Sequence, residues 1–395
     1  MKKIISIFLS VILIMSMSVC AFAENYNAIL KFDKDGKFKI LHLTDCQDDY
    51  PANENMLSFI YKVLKEYEPD LVVLGGDNTV SAEEYKEASI EELVKPFIDT
   101  ETYFTLVFGN HDHEQGYTNA VLFDLFAKYG GKYFLGTNDV DPVDSSKAGT
   151  HFLPVYSSDE SKVAYGIYMF DSGSYAYDDE GNNLGYDSVE PYQIEWYKSV
   201  RDSYKQADGS YLPSVAFQHI IVGDVYDYLY YKSAVDLGEL GRTYYGNHYT
   251  FVPKTQNFTG FLNEPPCPGY YNYGQLDAMA EKGDVKAVFS GHDHMNSFDL
   301  EIKGVHVINT PSCSYTSYSS PLNKGCRLIT LDEKTSSCDT ELITFNDLIL
   351  NDDSFADEID GSKVSSVFFN GFGDILLALG KGFSIFGKIL DTIVK

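Results

Sequence analysis

Apolar residues fall along this chain in two alternating rhythms. Apolar-rich runs at Phe38 to Leu43, Leu71 to Leu74, Tyr103 to Phe108, Val163 to Phe170, Val215 to Gln218 and Val285 to Phe289 have the length and composition of buried strands. Between them the period lengthens: Met56, Ile60, Val63 and Leu64 recur at helical spacing, predicting a helix over Asn53 to Tyr67. Further helices are expected over about Ala82 to Ile98, Tyr117 to Tyr129 and Pro191 to Tyr204, and Val305 to Ile308 and Arg327 to Leu331 read as closing strands. Strand, loop, helix in repetition predicts an α/β fold whose site lies beyond the carboxyl ends of its strands. One stretch breaks the rhythm. Residues 223–273, rich in Tyr, Gly, Asn and Pro, show no clear period, and their tyrosines are expected mainly to pack over a surface loop.

The two ends follow other rules. Lys2-Lys3, the apolar run Ile4 to Met17 and Ala21-Phe22-Ala23 match a secretory signal peptide over residues 1–23, which makes Glu24 the first mature residue and the protein secreted or extracytoplasmic. Residues 24–350 form the predicted domain, and residues 351–371 read as an acidic linker. In residues 372–395, Phe372, Ile375, Leu376, Leu379, Phe383, Phe386, Leu390 and Ile393 share one helical face. This C-terminal amphipathic helix is expected to dock on the domain, with weak membrane-surface contact as the alternative, because Gly373, Gly380, Gly382 and Gly387 weaken it in isolation.

The formal charge of −28 becomes more negative still once Lys2 and Lys3 are removed. Such a field repels nucleic acid, so the expected partner is a small phosphorylated substrate drawn in locally by metal. Five cysteines remain beyond the signal, an odd number without regular spacing, and no disulfide framework follows from them.

Candidate chemistry sits at the strand tips. Asp45, Asp77, Asn110, His219, His292 and His294 each follow a predicted strand, most beside a glycine turn. Alone, each has an ordinary explanation as a turn residue or core histidine. Together they are the carboxylate, amide and imidazole donors that phosphate-activating divalent metals require.

Asp45-Cys46-Gln47, Gly76-Asp77, Gly109-Asn110-His111-Asp112, the lone His219 and Gly291-His292-Asp293-His294 occur in that order. In this the chain resembles the calcineurin-like metallophosphoesterase superfamily. Asp171-Ser172-Gly173, Trp196 and the stretch from Gly291 to Phe298 are similar to its short purple-acid-phosphatase-like branch. The resemblance implies a four-layer αββα sandwich and two divalent ions among Mn²⁺, Fe²⁺, Zn²⁺ and Mg²⁺. It implies Asp45 and His294 on one ion, Asn110, His219 and His292 on the other, and Asp77 between them. His111 would act on the phosphoryl group or leaving oxygen, oriented by Asp112, during in-line attack by metal-activated water without a covalent enzyme intermediate.

Two positions depart from the pattern. Gln47 replaces the usual histidine, so the first ion is expected to gain an amide oxygen at best, which favours Mn²⁺ or Mg²⁺. Val80 replaces the tyrosine of true purple acid phosphatases, so no ferric-tyrosinate colour is expected. The competing reading is a secreted metal-binding or ligand-binding protein on the same fold, catalytically weakened at Gln47.

Overall fold

The computed structural model describes residues 29–141, 146–320 and 322–350. The expected signal peptide, acidic linker and C-terminal helix lie outside them. Two sheets stand face to face. The first has five strands in the order Cys338–Thr344, Gly325–Asp332, Lys37–Leu43, Leu71–Gly75 and Phe104–Val107, the last three mutually parallel. The second has seven, Phe258–Thr259, Asp299–Ile302, Val305–Asn309, Val285–Ser290, Ser214–Phe217, Val163–Met169 and His151–Tyr156. Its four central members are parallel.

Strand residues alternate between two interiors, which is why the strands read as apolar on both faces. Ile40, Leu71, Val73 and Val107 of the first sheet meet Ile167, Val215, Phe217 and Phe289 of the second in a core between the sheets. The opposite face of the first sheet, carrying Leu41, Leu43, Val72, Leu74 and Leu106, is covered by helices Glu54–Tyr67, Lys86–Asp99 and Asn119–Gly130. Tyr168, Ala216, Val288 and Val307 of the second are covered by helices Pro191–Ser203 and Gln275–Ala280. The result is four layers, helix, sheet, sheet, helix, with each buried Leu, Ile or Phe side chain contributing roughly 1.5–3 kcal/mol.

Local signals set the helix starts. The Asn53 side chain caps the first helix by accepting from the backbone of Asn55 at 3.0 Å. Glu190 and Gln193 form a reciprocal box around Pro191, and Gln193 Nε2 also donates to the Asp171 carbonyl at 2.8 Å. Trp196 from that helix lies edge-on to Tyr168 and Phe170.

The aperiodic insertion is more ordered than its sequence predicts. It contains the short helix Val225–Leu229 and a three-stranded sheet of Tyr230–Ser233, Gly241–Tyr244 and Asn247–Pro253. Its tyrosines largely pack on one another, with Tyr226 against Tyr230, Tyr244 and Tyr249.

Candidate metal centre

Parallel strands in both sheets end at the same edge, and their loops converge there. Asp45, Asp77 and Asn110 follow three strands of the first sheet, and His219, His292 and His294 follow two of the second. The loops are stitched together by backbone bonds: Asp45 N donates to Gly76 O at 3.0 Å, Gln47 N to Asp77 O at 2.8 Å, and Gly291 N to His219 O at 3.1 Å. Asp45, Gln47, Asp77 and His292 all hold positive φ, at 51°, 39°, 50° and 69°. Non-glycine residues avoid that region, so four in one site indicate strain that the surrounding bonds sustain. Gly76 has no such option: a Cβ there would lie 2.6 Å from His219 Nδ1 and 2.8 Å from Gly109 N.

The donor atoms form two overlapping sets. Asp77, His219 and His292 each offer an atom within 4.8 Å of the others, and so do Asp45, Asp77 and His294. Asp77 belongs to both. His219 turns Nδ1 to the Gly75 carbonyl at 2.9 Å and His294 turns Nδ1 to the Tyr318 carbonyl at 2.7 Å, which leaves Nε2 of each ring facing the carboxylates. His294 Nε2 is 3.3 Å from Asp45 Oδ1 and His219 Nε2 is 3.3 Å from Asp77 Oδ2. Although that second pair is close, His219 Nε2 makes no well-aligned hydrogen bond, and neither do the buried Asn110 Oδ1 and His292 Nε2. Buried polar atoms are rarely left so, and two imidazole nitrogens grouped with the Asp77 carboxylate fit a divalent cation.

Charge coupling follows from this packing. Burial lowers the pKa of His219, but the Asp77 and Asp45 carboxylates outweigh it and raise His219 to about 10. Burial likewise lowers His294, and Asp45 raises it to about 9. His292 goes the other way, held at about 3 by burial and by His219. Burial raises Asp77, yet His219 outweighs it and holds this carboxyl well below its usual range.

The remaining predicted residues are present in different arrangements. His111 Nδ1 is paired with Glu114 Oε2 at 2.7 Å, not with Asp112. Asp112 is buried and turned inward. Its carboxylate accepts from the backbone of Asp77, Asn78 and Gly109 at 2.9, 2.8 and 2.8 Å, so it ties the two ligand loops together. Lys86, also buried, donates to the Thr79 carbonyl at 2.9 Å beneath the same junction. Gln47 lies in the site, where its Nε2 donates to Asp77 Oδ2 at 2.9 Å. An amide used this way fixes the shared carboxylate and presents hydrogen, not oxygen, on that side.

Glu114 was not marked by any sequence motif, although His and Glu three residues apart is a pairing distance in any tight turn. It also accepts from Tyr175 OH at 3.3 Å, and that hydroxyl accepts from Asn110 Nδ2 at 3.4 Å. Cys46 is buried, as its place between two site residues suggests, with Sγ 3.2 Å from Cys313 Sγ. His42 lies beneath the site, its Nδ1 2.8 Å from Thr310 Oγ1, and burial holds it neutral with a pKa of about 3. Asp171 organises neighbouring loops, accepting from Ala148 N and Asn119 Nδ2 at 2.8 and 2.9 Å. Above the ligands opens a cleft of about 400 Å³ bordered by His111, Val80, Tyr186, Tyr318, Glu264 and Cys267.

A family model described as calcineurin-like phosphoesterase matches residues 38–296. The chain is similar to probable inactive purple acid phosphatase 14 of Arabidopsis thaliana, with 27% identity over 323 residues, 73% of each chain. Probable inactive purple acid phosphatase 29 of the same plant is 24% identical over 77% of this chain and 79% of its own length. Among solved structures, a dimetal phosphatase from Danio rerio aligns with 77% of this chain and 98% of its own, at 10% identity and a TM-score of 0.45.

Proposed function

Because the chain belongs to the calcineurin-like phosphoesterase family, we propose that it is an active, dinuclear-metal-dependent hydrolase of phosphoric esters. The observation that carries this reading is the pair of donor sets sharing Asp77. Asp45 and His294 would hold one ion, Asn110, His219 and His292 the other, and Asp77 both. When bound, two such ions supply Lewis-acid polarisation of a phosphoryl oxygen and a more acidic water. A site of hard oxygen donors and imidazoles suits Mn²⁺.

The chain's own contribution to the chemistry lies beside them. His111 borders the cleft next to Asp77, to whose Oδ1 its backbone N–H donates at 2.8 Å. With Nδ1 engaged by Glu114, Nε2 is the atom available to give a proton to the leaving oxygen. The Glu114 carboxylate fixes the ring by its contact with Nδ1. Asp112 acts one step back, by holding the loops that carry Asp77 and Asn110.

The direct experiment is hydrolysis of nitrophenyl phosphate esters by the mature chain with Mn²⁺ and with chelator. Turnover that disappears with chelator and returns with Mn²⁺ is expected. The second reading, a weakened ligand-binding protein, is favoured by Gln47 donating to Asp77 where an imidazole ligand is usual. Metal binding without turnover of any ester would select it.

Metal affinity is expected to depend on pH. His219 and His294 have pKa values raised to about 10 and 9, so each carries a proton at neutral pH that a cation must displace. The sign is fixed: lowering the pH below 9 favours the protonated chain, and each ion's affinity should fall about tenfold per pH unit. Titration calorimetry in buffers of different ionisation enthalpy should show about two protons released for two ions. Affinity that does not change with pH would contradict the pairing described.

Export rests on residues 1–23, which carry the charged, apolar and small-residue regions of a signal peptide. The expected N-terminus of protein recovered outside the producing cell is Glu24. Recovery only inside the cell, with Met1 or Lys2 at the N-terminus, would refute it.

A further inference from the structure

The charges around the cleft point to the kind of ester it takes. Glu264 and the carboxylate of Asp293 stand on its wall, Glu114 lies beside His111, and no lysine or arginine is among the described residues that line it. Asp293 is buried; its Oδ1 accepts from Cys267 N at 2.9 Å, while its Oδ2 has no partner. Two cations lie near it outside the lining. Lys86 donates to the Thr79 and Asp112 carbonyls, and Arg242, on the insertion sheet, lies beside Tyr244 and Cys267.

A phosphomonoester is a dianion above its second pKa of about 6, whereas a diester carries one charge at any ordinary pH. Coulomb energy scales with charge, so the Glu264 carboxylate opposes the pull of bound cations about twice as strongly for a monoester as for a diester. Phosphate dianions are normally met by additional Arg or Lys donors. Here the wall offers apolar surface instead. Tyr318 stacks on His294 with centroids 4.1 Å apart and planes 3° from parallel, and Tyr186 stands edge-on to His292 at 4.2 Å. Tyr318 remains 55% exposed, which leaves a flat surface beside the ligands.

We propose that this cleft selects phosphodiesters over phosphomonoesters, with an uncharged second arm of the diester lying against Tyr186 and Tyr318. The assignment rests on the hydrolase reading above and narrows it. Selection arises from charge at Glu264 and from contact at the two tyrosines, with the metal chemistry common to both ester types.

The test compares kcat/KM for bis(p-nitrophenyl) phosphate and p-nitrophenyl phosphate on the manganese-loaded full mature chain, in wild type, Glu264→Gln and Tyr318→Ala. Glutamine keeps an oxygen for the Met295 N–H, which Glu264 Oε1 accepts at 2.8 Å, so the fold around it is retained. Wild type should favour the diester by at least about tenfold, and Glu264→Gln should narrow that ratio about threefold or more by improving the monoester more than the diester. Tyr318→Ala should raise KM for the diester more than for the monoester. A monoester preference, or a Glu264→Gln change equal for both esters, would overturn the diester assignment while leaving the hydrolase reading intact. Turnover of neither ester with manganese bound would overturn both.

Discussion

Replacing Asp77 with alanine is expected to empty both metal positions and lower turnover by at least about a thousandfold. Among the described residues no other side chain belongs to both donor sets. Its Oδ2 faces His219 Nε2 and accepts from Gln47 Nε2, and its Oδ1 accepts from the His111 backbone, so one carboxylate positions ligands on both sides and the proton donor as well. Asp77→Asn separates charge from shape. It keeps the size of the side chain and one oxygen acceptor, yet should also lose most metal, because the amide cannot bridge two cations as a carboxylate does. Metal content per chain and kcat are the readouts, with thermal unfolding to confirm that the variants are folded. Two ions retained in Asp77→Ala would remove the basis for a shared ligand.

The second large effect is at His111. His111→Ala is expected to lower kcat about 10²–10³-fold with metal content unchanged, since general acid catalysis typically contributes in that range. The loss should be greater for an alkyl ester than for a nitrophenyl ester, whose leaving oxygen needs no proton. Glu114→Gln should give a smaller loss of about tenfold through the same step, because the ring stays but loses the carboxylate that orients its Nδ1 at 2.7 Å. Asp112→Asn should behave differently, weakening metal binding and thermal stability, since Asp112 accepts from three backbone N–H groups of the ligand loops and does not contact His111. Loss of metal in His111→Ala, or equal losses on both ester types, would contradict the assigned role.

Much of the architecture was legible because the central strands are buried on both faces. Leu71 to Gly75 and Ser214 to Phe217 are apolar runs for a geometrical reason, each lying between a helical layer and the opposing sheet. Edge elements gave weaker signals. Cys338–Thr344 places Asp339 and Glu341 on its exposed side, and His151–Tyr156 contains Pro154, so each is identifiable mainly through its pairing with Gly325–Asp332 or Val163–Met169. The hairpin Tyr175–Tyr177 with Asn183–Tyr186 is likewise a product of pairing, and it supplies Tyr186 to the cleft.

The candidate site divides in a similar way. Asp45, Asp77, Asn110, His219, His292 and His294 stood out in sequence because each occupies a strand tip, and the fold brings those tips to one edge. The partnerships around them depend on loop conformation, which no spacing encodes. Asp112 is adjacent to His111 in sequence but turns toward the Asp77 loop, while Glu114 comes back beneath the imidazole ring. Gln47 shows the same limit: its identity predicted a weak ligand, and only its orientation shows the amide N–H on Asp77. Glu264 reaches the cleft from an insertion whose sequence has no period at all.

The central claim is that one carboxylate joins two metal positions, and counting manganese by elemental analysis alongside the electron paramagnetic resonance spectrum tests it most directly. The account predicts two ions per chain with spectra of an exchange-coupled pair, and loss of that coupling in Asp77→Asn. A single ion per chain, or two ions with the spectra of isolated Mn²⁺, would contradict it.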